Sequence, residues 1–412
     1  MKSLKKWGAV LALMGICAAI CFADEARAAT SAQTSAKHEQ RQLARQRVEN
    51  HSFSDFGSKY IEAKKFLTDK LGLQVGLDIS YTAQRVAPGG KQTAIQGIYY
   101  PYVTWTLFQD RAWGSGALNV NYNYIHYWGQ QAEVLQDRAN LVSAINDYDA
   151  NQYFFSQFTY THTLPGKWDW LSVTAGQFPL YNFDGTEYVD NQQTGLMNYA
   201  LSQNASSAYP LASLGAYVQA QNSRFTFAAG YQDATNITGA EIHGKTAFDG
   251  KYTGFGSFAW TPSFKWGDGQ YSFLYYYQPA VAQQDENVNG WSFNMQQNIG
   301  SKWALFGRAN GSTGGAVPIK NSYVLGISLL NPLGRNPQDV ITLGAAYNRL
   351  SPAGAGYPPF LRSGETVIEL QWVWGIGKFV TVTPDIQFYP RAGFSPDQGV
   401  TTVAGLRTTV ML

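Results

Sequence analysis

Residues 116–128 read GALNVNYNYIHYW, with Leu118, Val120, Tyr122 and Tyr124 alternating against Asn119, Asn121 and Asn123. Successive side chains of a β-strand point to opposite faces, so this stretch has one apolar face and one face of amides. Working outward from it, fifteen more short segments of period two fill the chain from Gln74 to the C-terminus, and no run approaches the roughly 20 apolar residues of a spanning helix. The gaps between them alternate: every odd gap has at least 10 residues and every even gap at most 8. An even strand count with long outside loops and short periplasmic turns is the pattern of an outer-membrane barrel. The chain is therefore expected to be all-β, a sixteen-stranded antiparallel transmembrane β-barrel over residues 73–412 with a short N-terminal helical prelude.

Charge placement agrees with that expectation. Arg or Lys facing lipid near the bilayer midplane costs about 2–4 kcal/mol, so strand charges should face the lumen. In the first segment Val75, Leu77, Ile79 and Tyr81 oppose Asp78, Ser80 and Gln84. Near the end, Ile368, Leu370 and Trp372 oppose Glu365, Glu369 and Gln371; Val382, Ile386 and Phe388 oppose Thr383, Asp385 and Gln387; Leu406 and Val410 oppose Arg407 and Thr409. Arg308 lies opposite Trp303 and Leu305. The segments 96–107 and 253–261 do not sort by this test. The 61 aromatic residues suit two interfacial girdles, with His126 and His162 among them.

The ends carry their own signals. Lys2, Lys5 and Lys6 precede an apolar stretch, and Ala26-Arg27-Ala28 is an A-x-A cleavage site, so residues 1–28 read as a signal peptide, with an uncleaved anchor as the alternative. Cys17 and Cys21 both lie within it, leaving no thiol chemistry in the mature chain, whose charges balance. No basic field is left for nucleic acid. Residues 29–72 form a polar, helical periplasmic segment: Phe56, Tyr60, Ala63, Leu67 and Leu71 recur at helical spacing after Ser54, and Gly72 ends the helix. A helix leading into the barrel and a plug in the lumen both fit that pattern.

Sixteen strands enclose a water-filled channel rather than a side-chain core. The longest gap, 179–212, follows the fifth strand and carries Tyr181, Phe183, Asp184 and Glu187. Folded inward it narrows the channel; folded outward it is a cap. Aromatic rings stack on the apolar faces of sugars while carboxylates and amides bind their hydroxyls, so these residues are candidate solute contacts. The lumen-facing Asn119, Asn121, Asn123, Arg308, Glu369, Gln371, Asp385, Gln387 and Arg407 are the other candidates, and each has bracing of the wall as its alternative role. The histidines form no metal-spaced or Ser/His/Asp cluster, so no catalytic residue, metal or cofactor is expected.

Several of these stretches resemble the OprB family of carbohydrate-selective porins of Gram-negative outer membranes. They are Gly176-Gln177-Phe178 with Asn182-Phe183-Asp184, then Gly195-Leu196-Met197-Asn198-Tyr199-Ala200-Leu201 and Ala212-Ser213-Leu214-Gly215. Glu365-Thr366-Val367-Ile368-Glu369-Leu370, Thr383-Pro384-Asp385-Ile386-Gln387-Phe388 and Gly405-Leu406-Arg407 complete the set. The resemblance implies passive diffusion of mono- and small oligosaccharides across the outer membrane, and it supports Glu369, Asp385, Gln387 and Arg407 as lumen residues. The chain departs from barrels that end in Phe, closing instead on Val410-Met411-Leu412. A general porin without sugar selectivity is the alternative. Gly307, Ala309 and Ala404 on outward faces leave room for a homotrimer.

Overall fold

A computed structural model describes residues 55–87, 92–186, 193–239, 242, 244, 247, 250–314, 317–351, 362–394 and 399–412. The signal-like residues 1–28, the polar stretch 29–54 and Ser54 lie outside them, as does Glu187. The described part begins with helix α1 (Asp55–Leu71). Gly72 ends it at φ +64°, its N–H donating to the Thr68 carbonyl at 3.0 Å. The left-handed conformation favours glycine at this position.

Sixteen long strands follow: β1 (Leu73–Ala87), β2 (Thr93–Arg111), β3 (Gly114–Tyr127), β4 (Gln152–Thr163), β5 (Leu171–Phe178), β6 (Ser213–Gln221), β7 (Phe225–Asp233) and β8 (Tyr252–Trp260), then β9 (Gly267–Gln278), β10 (Val288–Ile299), β11 (Trp303–Ser312), β12 (Ile319–Leu330), β13 (Val340–Leu350), β14 (Gly364–Ile376), β15 (Val380–Arg391) and β16 (Thr401–Met411). A two-residue strand, Ser263–Phe264, sits in the turn before β9. Each long strand pairs antiparallel with the next, and β1 pairs with β16 from Asp78↔Met411 to Ala87↔Thr402. Leu77 and Leu412 exchange both backbone hydrogen bonds at the seam. The sheet therefore has no edge, which is what lipid requires of strands.

The long/short rhythm holds with exceptions. The long connections 128–151, 179–212 and 234–251 join strands at one end of the barrel, but that end also has the short connections 88–92 and 313–318, while the other end has the longer turn 331–339. Helix α1 sits at the short-turn end, where Tyr60 meets Phe379 of the β14–β15 turn edge-on at 5.8 Å.

Faces sort as the alternation requires. Leu325 on β12 is 65% exposed on the outside, flanked by Tyr323 and Ile327, while Ser322, Val324 and Ser328 are buried. Exposed charges do occur, but near strand ends: Arg85, Arg349 and Arg391 at one end of the barrel and Arg111 at the other. The short-turn girdle is rich in tryptophan, with Trp113 stacked on His162 at 5.9 Å and Trp372 against Trp374 at 5.0 Å. The opposite girdle holds Tyr81, Tyr99 and Trp128, and His126 lies 4.9 Å from Trp128.

The two unsorted segments now have an explanation. On β2 the inward side chains include Ile98 and Tyr102, and on β8 Phe255, all buried. Ile98 and Phe255 face apolar loop residues inside the barrel, so the expected wide polar lumen is in fact partly filled by two hydrophobic clusters. Leu325→Arg should weaken the folded barrel by about 2–4 kcal/mol in urea-titrated folding into lipid vesicles. An unchanged midpoint would remove the assignment of that face to lipid.

Candidate functional site: a two-loop constriction

The described residues of segment 179–212, loop L3, fold into the lumen. A 3-10 turn, Leu180–Phe183, follows Pro179 and buries Leu180 and Phe183. The Phe183 ring packs 4.8 Å from Phe255 and 5.1 Å from Tyr217, joining the wall of β5–β9. Asp184 is buried and accepts hydrogen bonds from Asn204 Nδ2 (2.8 Å), Asn294 Nδ2 (2.9 Å) and the Tyr209 hydroxyl (3.1 Å). One turn of helix, α3 (Tyr199–Ser202), is capped by Asn198, whose side chain accepts from Ala200 N at 3.0 Å. Ser, Thr, Asp and Asn are the residues that satisfy a helix's first N–H groups this way.

A second loop enters beside it. Segment 128–151, loop L2, carries α2 (Ala132–Arg138) and buries Ala132, Leu135, Leu141 and Ile145. These pack with Leu196 and Leu201 of L3 and with Val367, Tyr389 and Val403 of the wall. Sequence reading placed only L3 inside. The apolar run Leu141, Val142 and Ile145 in a loop otherwise rich in Asp and Asn was the available signal.

Both loops are tied to the same three strands. Glu365 on β14 accepts from Val142 N (2.9 Å), Ser143 N (2.7 Å), Ser143 Oγ (2.7 Å) and Gly393 N (2.9 Å). Four residues along, on the same inward face, Glu369 accepts from Met197 N (2.5 Å) and Asn198 N (2.9 Å). Arg407 on β16 donates to the Gly195 carbonyl at 2.9 Å, and Gln387 on β15 donates to the Ile145 carbonyl at 2.9 Å. The loops also bond each other: Tyr199 N and Asn198 Nδ2 both donate to the Ala144 carbonyl, at 3.1 and 3.0 Å.

The residues expected from sequence thus divide into two groups. Glu369, Gln387 and Arg407 are buried with loop backbone as partners, and Gln371, Asp385 and Arg308 are buried in the wall, with Gln387 Nε2 donating to Asp385 at 3.4 Å and Arg308 Nε donating to Asn294. Phe183 and Asp184 hold L3 in place. Asn119, Asn121 and Asn123 line the wall on β3, three strands round from β16, where Thr104 donates to Asn119 (3.0 Å) and Asn121 to Gln157 (3.2 Å).

The loops' half-buried polar residues gather elsewhere. Tyr181 and Tyr199 hydroxyls lie 3.1 Å apart, and Ser207 Oγ is 3.2 Å from the latter. Across from them L2 presents Asp147, which accepts from Gln203 at 3.4 Å, and Tyr148, within electrostatic reach of Tyr100 on β2 and of Tyr199. Burial pushes the phenols of Tyr148, Tyr181 and Tyr199 above their ordinary value, so the ring presents neutral hydroxyls. Of this ring only Tyr181 stood among the expected contacts. Among the described residues no group of three or more His, Cys, Asp and Glu side chains is placed to hold a metal ion.

The family model for the carbohydrate-selective porins, OprB family, matches residues 112–412. The chain belongs to the OprB family. It is 38% identical to the porin AaxA of Chlamydia pneumoniae over 348 residues, covering 82% of this chain and 79% of that one. Porin AaxA of Chlamydia felis is 39% identical over 318 residues, 77% and 71% of the two chains. The fold is like the high-pH structure of Pseudomonas putida OprB, with a TM-score of 0.70 at 15% identity over 87% of this chain and 97% of that one. This OprB-family member is thus a porin of the outer membrane, a channel built as a sixteen-stranded barrel.

Docking of L3 on its wall includes one close approach. A Cβ on Gly344 of β13 would lie 2.6 Å from Cδ1 of the fully buried Leu196, so a larger residue there must displace that side chain. Gly344→Val should strain the L3 contact by about 1–3 kcal/mol. Faster proteolysis within 193–212 and a raised single-channel conductance are the expected readings.

Proposed function

We propose that this porin is a passive channel for small polyhydroxyl solutes, mono- and small oligosaccharides, selected at the ring of Tyr100, Asp147, Tyr148, Tyr181, Tyr199 and Ser207. The observation that supports the reading is a cluster of hydroxyls from the two loops: Tyr181 and Tyr199 lie 3.1 Å apart, Ser207 Oγ is 3.2 Å from Tyr199, and Asp147 and Tyr148 are within electrostatic reach of them. Tyrosine joins an apolar face to a hydroxyl that both donates and accepts, which matches the alternation of C–H faces and hydroxyls on a sugar. The amides Asn119, Asn121 and Asn123 give a transiting solute further partners along the β3 wall. The family's description names the same solute class. Transport down a gradient needs no covalent step and no cofactor.

A general porin differs in its response to sugar: it passes ions without competition. In planar bilayers sugars should reduce the ion current in a concentration-dependent way, and Tyr181→Phe and Tyr199→Phe should each weaken that block. Undiminished block in both variants would remove the ring from sugar recognition.

One observation favours a second reading. The carboxylate of Asp147 is only half-buried at the ring, whereas the guanidinium groups of Arg308 and Arg407 are buried. A half-buried carboxylate among these hydroxyls gives a small organic cation a contact there. Liposome swelling separates the two readings: Asp147→Asn should slow cationic solutes and leave sugars of equal size unchanged. Sugars entering no faster than into empty liposomes would end the first reading.

A further inference from the structure

We propose that Glu365, Glu369 and Asn198 form a single latch that fixes the distance between L2 and L3 and so sets the size limit of the channel, without touching the solute. Glu365 takes four hydrogen-bond donors, three of them from L2. Glu369 takes two consecutive backbone N–H groups of L3. Both carboxyl groups are fully buried, on the face of β14 that looks into the lumen. Charge-assisted hydrogen bonds to backbone N–H are among the stronger ones a carboxylate makes, and a buried donor left without an acceptor carries the full desolvation cost. Each loop is therefore held by a strong, short-range and direction-specific contact rather than by apolar packing alone.

Asn198 makes the two contacts one device. Its N–H is held by Glu369, its Oδ1 caps α3, and its Nδ2 donates to Ala144 of L2 (3.0 Å) and to the Tyr389 hydroxyl of β15 (2.6 Å). The carbonyl of Asn198 accepts from Ser202 N and Ser202 Oγ, both at 2.9 Å. One side chain and one peptide group thus join L3, L2 and two wall strands. Tyr199, next in sequence, stands in the aperture ring and donates its own N–H to Ala144. Moving Asn198 moves the ring. These three are positioning residues for the channel: they act through Tyr199, Tyr181, Asp147 and Tyr148.

The test uses neutral solutes of graded size, so its outcome is independent of whether sugars are the preferred cargo. Glu369→Gln keeps the shape but turns an amide N–H toward the N–H of Met197 or Asn198, and Asn198→Asp removes the donor to Ala144 while adding a charge beside Glu369. Either should increase the released-loop population about tenfold or more. In liposome swelling the rate for the largest permeant solute relative to the smallest should then rise several-fold, with the fold of the barrel checked by its heat-modifiable gel mobility. Because the loops are linked through Asn198, Glu365→Gln combined with Glu369→Gln should shift that ratio by other than the product of the two single effects. Folded variants with the wild-type ratio overturn the proposal. If the variants do not fold, amide exchange on the unaltered porin decides: peptides 141–146 and 195–203 should be protected like barrel strands while 279–287 exchanges fast. Equal exchange in all three would overturn it.

Discussion

A backbone N–H or C=O that leaves water must be given a partner, and this molecule meets that demand twice. In the wall the demand is met by strand pairing carried around to the β1–β16 seam, so that no ladder ends in lipid. Inside the barrel the loops L2 and L3 bury peptide groups that have no strand to pair with. There Glu365, Glu369, Gln387 and Arg407 take the role of the missing strand, accepting from or donating to successive loop peptides. The aperture follows from those contacts together with the packing of Phe183 and Asp184, because Tyr181, Tyr199, Asp147 and Tyr148 are placed by the loops and the loops are placed by the wall.

The barrel was legible in the sequence because lipid enforces alternation with an energetic penalty at each position. The outward faces of β1, β3 and β14–β16 read cleanly, and among the described residues the outward arginines lie near strand ends. The lumen was less legible because water is not its only content. Ile98, Phe255, Val367 and Val403 point inward and look like errors of alternation until L2 and L3 are seen to cover them. A one-dimensional pattern reports whether a neighbour is apolar, and cannot say whether that neighbour is a lipid chain or a loop leucine.

The candidate site shows the same limit. Composition of residues 179–212 pointed to L3, and Tyr181 was found there. Asp147, Tyr148, Tyr199 and Ser207 were not found, since their importance lies in a meeting of two loops distant in sequence. Glu369 and Arg407 were recognised as inward charges, but a charge facing a solute and a charge facing a buried peptide group have the same sequence signature. Only the hydrogen-bond partners separate them, and for these two residues the partners are Met197, Asn198 and Gly195.

The order of residues along the chain adds a consequence in time. The loops that narrow the channel lie at 128–151 and 179–212, whereas their anchors, Glu365, Gln387 and Arg407, come from the last three strands. Contacts so far apart in sequence form late, after the intervening chain has been placed. A barrel that has not yet taken in its final strands is therefore also one in which Leu141, Leu196 and Leu201 lack part of the wall that covers them. Completion of the wall and completion of the sieve are one event, and an incomplete barrel presents exposed apolar loops in place of a selective pore.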